Sequence, residues 1–201
     1  MVKKRILTVV SLAFAFAVLG ISMIRTSAQA NSKNYKVLAL TPKSTSTPTP
    51  EAKKIDYFLA YPGILPNHFL YPVKMFRDKV MVFLTSSSLK RGELFLLFAD
   101  KRIGAAKALI DGGRPEMGVS TATKAEKYLE QALTQEKIAR EKGIDTRAFL
   151  EKLSGACLKH EEMILEMAGK VSGPGKGALE KALEYPRTGL AQIRAILEQQ
   201  Q

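Results

Sequence analysis

The sequence predicts an all-α domain, an antiparallel helical bundle of about four to five helices, and three features of the chain lead there. Apolar residues recur at every third or fourth position in stretches between residues 72 and 200. Gly or Pro punctuates the gaps between those stretches. Neither alternating apolar and polar runs nor an Asn-Gly turn argues for strands. At 201 residues, 46% hydrophobic and 25% charged, the chain has material for one ordinary core plus a leader or tail. Its single Cys excludes a disulfide-stapled scaffold and a Cys-rich zinc or iron–sulfur framework, so packing must supply the stability.

The elements follow in order. Residues 61–72 contain three prolines that forbid a continuous helix, and they are expected to lie over the bundle as an extended cap. Tyr61, Phe69, Tyr71 and Phe76 are expected to supply core beneath that cap, with an aromatic partner surface as the alternative. Pro72 suits the first turn of a helix carrying Val73, Phe76, Val80, Phe83 and Leu84. One of Ser86, Ser87 and Ser88 caps a second helix that stops at Asp111-Gly112-Gly113. Its stripe runs from Leu89 through Phe95, Ala99, Ile103 and Ala106 to Ile110, and Leu94, Leu97 and Phe98 widen it. Pro115 opens a third helix over about Glu116–Lys142, and Asp145 caps a fourth that closes at Gly169 or in the loop 172–175. A fifth runs from Lys176 to near Gln200, kinked or split by Pro186 after Glu184.

Residues 1–30 read as an export signal. Lys3, Lys4 and Arg5 precede an uncharged run from Ile6 to Ile24, and Ala28-Gln29-Ala30 offers a cleavage site. The 19-residue run is longer than a usual removable segment and close to a membrane span, so cleavage after Ala30 and retention as an anchor both stay open. Either way the rest of the chain is expected to be exported, secreted or anchored on the outer side of the cytoplasmic membrane. Residues 31–55 form a Ser/Thr/Pro-rich linker, and 56–201 the exported all-α domain. Four of the 31 Lys and Arg residues and none of the 19 acids fall in the leader, which leaves +8 of the total +12 for residues 31–201. A basic exported protein points to an envelope protein or an anionic envelope polymer as partner, with the membrane itself if the leader is retained. Nucleic acid is not expected, because Glu and Asp intersperse the cations and no run of five basic residues occurs.

The segments Leu70-Tyr71-Pro72-Val73-Lys74, Arg77-Asp78, Lys90-Arg91-Gly92-Glu93-Leu94 and Ala99-Asp100-Lys101-Arg102 carry a resemblance. Over about Tyr61–Leu133 the chain resembles an uncharacterised bacterial family of exported or membrane-anchored helical domains that opens on a Leu-Tyr-Pro-Leu-Lys motif. Val73 and Gly92 depart from its usual Leu and Ala. The resemblance implies an extracytoplasmic helical domain of unknown biochemical function, and it offers no catalytic residue to transfer.

Two constellations are candidates for sites. Lys90, Arg91, Lys101 and Arg102 on the second helix are candidates for docking an anionic partner, against the plainer role of a solvated surface. Cys157, His160, Met163 and Met167 share about a third of one helix face, and their soft donors suit copper or zinc. Phe149, Leu153 and Ile164 fall on the same stripe, so packing is the competing role, with His160 at the stripe edge and Glu161 and Glu162 in solvent. No His-Glu-x-x-His, Gly-x-Ser-x-Gly, Walker or dinucleotide pattern is present. The expectation is therefore a non-enzymatic binding or structural module without a cofactor, its oligomeric state left open.

Overall fold

A computed structural model describes residues 55–199 of the chain; the stretches up to residue 54, expected to be an export or anchor segment and a linker, lie outside the described residues. Six helices follow one another: α1 (Tyr71–Leu84), α2 (Ser88–Asp111), α3 (Pro115–Glu141), α4 (Arg147–Ala168), α5 (Pro174–Ala182) and α6 (Glu184–Gln199). No strand occurs among the described residues. Helices α2 to α6 pack together as the predicted all-α bundle.

The punctuation read from the sequence sets most of the boundaries. Pro72 and Pro115 sit in the first turns of α1 and α3, where the missing N–H has no helical partner to lose. Ser87 is the residue that caps α2, its hydroxyl accepting from the Lys90 N–H. Gly113 turns the chain back with φ at +74°, a backbone conformation that costs glycine nothing. Asp145 was expected to cap α4, but Thr146 occupies that position and turns its hydroxyl to Glu136 Oε1 at 2.6 Å. The Asp145 carboxylate still accepts from the Arg147 N–H at 3.0 Å. Pro186 lies in the first turn of α6, so the break falls at Leu183, one residue before Glu184.

The α2–α3 hairpin is built on small residues. Ala99, Ala106, Ala122, Ala125 and Ala132 are all fully buried, and each lets backbone approach backbone. The approach is tightest at Gly118, where an added Cβ would collide with Ile110 Cγ1 and stand 2.9 Å from the Ala106 carbonyl oxygen. Two apolar clusters complete the core. One gathers Ile103, Ile110, Met163, Ile164, Met167 and Leu179; the other gathers Leu96, Leu129, Phe149, Leu150, Leu153 and Ile193.

The extended segment before α1 does lie on the bundle, but through other residues than expected. Tyr57 packs on Gly155 of α4, and Pro62 packs on Gly104 of α2. Tyr61, Phe69 and Phe76, expected as core, are exposed, and Tyr71 is only half-buried. A single extended segment laid over a bundle that is already closed buries only the side chains on its inner side; Tyr61 and Phe69 are on the outer one, and Phe76 is on the outer side of α1.

Gly118→Ala is expected to lower stability by about 1–3 kcal/mol, because the neighbour that must yield includes a backbone carbonyl. Helix propensity alone favours Ala by about 1 kcal/mol. A denaturant midpoint that rises in the variant would therefore contradict the close approach.

Candidate functional site

The four basic candidates do not form one surface. Lys90 is exposed, and Lys101 is half-buried with its pKa lowered first by burial and then by the neighbouring Arg77. Arg91 donates from Nε and Nη2 to the Thr85 carbonyl at 3.2 and 2.6 Å, which ties the end of α1 to α2. Arg102 is buried at 5% exposure: its Cζ lies 4.1 Å from the Tyr128 ring centre, and its Nη1 donates to the Phe98 carbonyl at 3.2 Å. Its Nη2 reaches Met75 Sδ at 3.0 Å and Asp78 Oδ2 at 4.0 Å, both on α1. Arg91 and Arg102 thus serve as clamps between helices.

The soft-donor residues are core. His160, expected at the stripe edge, is fully buried, and Glu161 and Glu162 are half-buried beside Arg187 and Lys159. The His160 Nδ1 stands 2.8 Å from Glu126 Oε1, and its Nε2 stands 3.2 Å from Asp100 Oδ1. Tyr57 then donates its hydroxyl to Asp100 Oδ2 at 2.9 Å, so the relay runs from the N-terminal segment through α2 and α4 to α3. Burial alone would push the imidazole down, but the charge of Glu126 and the hydrogen bonds to Asp100 and Glu126 outweigh it and hold His160 at about 9. Burial, then the charge of Glu126, pushes the Cys157 thiol up to about 12. Met163 and Met167 lie in one apolar cluster and Cys157 in the other, with His160 between. The described residues contain no group of three or more His, Cys, Asp or Glu side chains placed to hold a metal.

Asp100 and Glu126 are residues that sequence reasoning missed, although a signal was present. Asp100 falls four residues after Leu96 and three before Ile103, and Glu126 falls four after Ala122 and three before Leu129. Each is a carboxylate on an apolar stripe, as His160 is between Cys157 and Ile164. The three form one polar layer where the two apolar clusters meet.

Two surface features remain. A groove of about 830 Å³ runs between α3 and α6, lined by Leu133, Arg140, Tyr185 and Ile193 among others. Helix α1 is the second, because it is inside out. Its one buried residue is Asp78, and Tyr71, Lys74, Met75, Arg77, Val80, Met81 and Val82 are partly covered. Val73, Phe76, Phe83 and Leu84 face water, the last two at 85% and 65% exposure. Lys74 holds the helix base by donating its Nζ to the carbonyls of Pro62 and Ile64 at 2.9 and 3.1 Å. A pocket of about 500 Å³ lies between α1 and the bundle, lined by Asp78, Val82, Phe95, Phe98 and Tyr128. Among the described residues no helix is long and apolar enough to cross a membrane.

A family described as a domain of unknown function (DUF5667) matches residues 63–172, a span that starts in the extended segment and ends just past α4. No curated protein and no solved structure matches the chain.

The buried relay sets a pH dependence. The folded imidazole is held at about 9 against an ordinary 6.5, so its stabilisation is complete below about 6.5 and is lost as pH rises through about 9. The wild-type protein is expected to lose stability over that window, by denaturant titration at successive pH values. His160→Gln is expected to be less stable by about 3–5 kcal/mol at pH 6, since it leaves two buried carboxylates without their cation, and to lack the alkaline slope. A slope retained in the variant would assign it to other groups.

Proposed function

The chain belongs to the DUF5667 family, domains of unknown function, and from that premise we propose that it is an extracytoplasmic, non-enzymatic binding or structural module of the bacterial cell envelope that docks through the outer side of α1. The observation that carries this reading is the orientation of α1. A soluble helix ordinarily turns its apolar stripe to the core, and a folded domain rarely leaves several large apolar side chains together in water unless something covers them. Here the helix turns Asp78 inward and Val73, Phe76, Phe83 and Leu84 outward.

The orientation is built in. Rolling α1 over would place its apolar side on the bundle but would strip Asp78 from Arg102 on α2. Arg102 would then be a buried cation without a carboxylate, a costly state. Arg91, at the Thr85 carbonyl, and Lys74, at the Pro62 and Ile64 carbonyls, pin the two ends of the helix. The bundle thus acts as a rigid base and α1 as the element it displays. The sealed polar layer supports a structural rather than a chemical role for His160, which is fully buried; His68 is exposed and stacked on Phe69. The basic leader and the uncharged run of residues 6–24 support export.

Thiol labelling in intact cells tests both halves of the reading. Cys157 is buried and does not compete, so Phe83→Cys on α1 and Leu165→Cys on α4 each supply one accessible thiol. A membrane-impermeant maleimide is expected to label the Leu165→Cys protein in intact cells and to spare the Phe83→Cys protein until the envelope is dissolved in detergent. Equally prompt labelling of both would remove the docking role of α1, and no labelling at position 165 before lysis would remove the export.

A further inference from the structure

Resting on the docking reading above, we infer that the occupant of the α1 face is an anionic lipid bilayer, with the helix lying in the plane of the headgroups. At about 100° per residue, Val73, Phe76, Val80, Phe83 and Leu84 fall within an arc of about 100° on one side of the helix. Arg77 borders that arc on one edge and Lys79 borders it on the other. Among the described residues Lys79 is exposed and makes no hydrogen bond or ion pair, and Arg77, 38% exposed, is ion-paired with the Asp78 carboxylate beside it. The only carboxylate of the helix, Asp78, points the other way and is sealed at 2% exposure. The displayed side is therefore apolar in the middle, cationic at both margins and free of acid.

That order of chemistry matches one kind of partner. A bilayer offers hydrocarbon below and phosphates at the level of the margins, so an amphipathic helix sinks its stripe about 5–10 Å while Lys and Arg reach sideways to the headgroups. A second copy docked on the same face would set Arg77 and Lys79 against their own kind, with no outward acid on the helix to meet them. Phe58 and Phe69 in the preceding segment are exposed as well, at 91% and 81%. The uncharged run of residues 6–24 lies upstream in the same chain, and the sequence after it, residues 31–201, carries a charge of +8. An anionic surface attracts that charge.

The test uses the full chain carrying Phe83→Cys, Phe76→Cys or Leu165→Cys, each labelled with an environment-sensitive fluorophore. It is added to vesicles of phosphatidylcholine alone or of phosphatidylcholine with phosphatidylglycerol. Residues 6–24 by themselves can bring the protein to either vesicle, so the readout is local: the blue shift of each label and its quenching by brominated acyl chains. Labels at positions 76 and 83 are expected to shift and to be quenched on the anionic vesicles, while the label at 165 stays aqueous. Lys79→Gln is expected to weaken that partition about fivefold at low salt, the contribution of one basic residue near an anionic surface. Three results overturn the inference. A label at 83 that stays in water on anionic vesicles, although the cellular labelling shows protection, assigns the face to a protein partner. Shielding that appears without vesicles and grows with protein concentration assigns it to a second copy. Accessibility at 83 both on vesicles and in cells removes the docking role of α1 altogether.

Discussion

The imidazolium of His160, held between Glu126 and Asp100, is the interaction on which the arrangement of this domain depends. Helices lined with alanine slide past one another at little cost in apolar contact, because an Ala-on-Ala interface looks much the same one turn further along. A charged group sealed in the core does not permit that freedom. The carboxylates of α2 and α3 must meet the two ring nitrogens of α4 at 3.2 and 2.8 Å, and a one-turn slip of any of the three strands a buried charge. The layer is thereby a register lock. Its net worth relative to apolar side chains of the same volume is small or negative, and what it contributes is the penalty on every other alignment.

The lock reaches the surface through α2. Asp100 is fixed by His160 and Tyr57, and Arg102, two residues on, is fixed with it. Arg102 lies against Phe98 and Tyr128 and meets Met75 and Asp78, so the polar side of α1 is drawn onto the bundle. The apolar side of α1 is outward as a consequence. An ion relay in the core and an apolar stripe on the surface are two ends of one chain of contacts. At the far end of α2 a second set of contacts holds α4 in place: Lys107 and Lys170 meet Asp111 and Glu166 at 2.7 to 2.9 Å. Lys170 is exposed, and its pKa is raised chiefly by its hydrogen bonds to Asp111 and Glu166. An exposed cluster of this kind adds alignment more than stability.

Most of the helical plan was legible in the sequence, because Pro and Gly act locally. Pro72, Pro115 and the Gly112-Gly113 turn mark boundaries without reference to the rest of the fold, and Pro186 marks a break to within one residue. The candidate site was legible only in part. His160 stands out by its chemistry, but Asp100 and Glu126 look like solvent-facing acids until the two helices that carry them are packed against a third. Arg102 is hidden for the same reason: a guanidinium between two rings has no mark in one dimension. The aromatics of the cap were misread because composition says how much apolar surface a segment carries and not which side of it meets the bundle. Tyr57, which precedes the proline-rich stretch, turned out to be the aromatic that packs on α4.

Solvent paramagnetic relaxation in the free protein measures, side chain by side chain, whether α1 buries its polar side and displays its apolar one. A soluble paramagnetic agent is predicted to broaden the resonances of Val73, Phe76 and Phe83 strongly, and those of Met75, Met81 and Val82 much less. The reverse pattern, with Phe83 protected and Met75 broadened, would mean that α1 packs its apolar stripe on the bundle and would contradict the account from the Arg102 clamp outward.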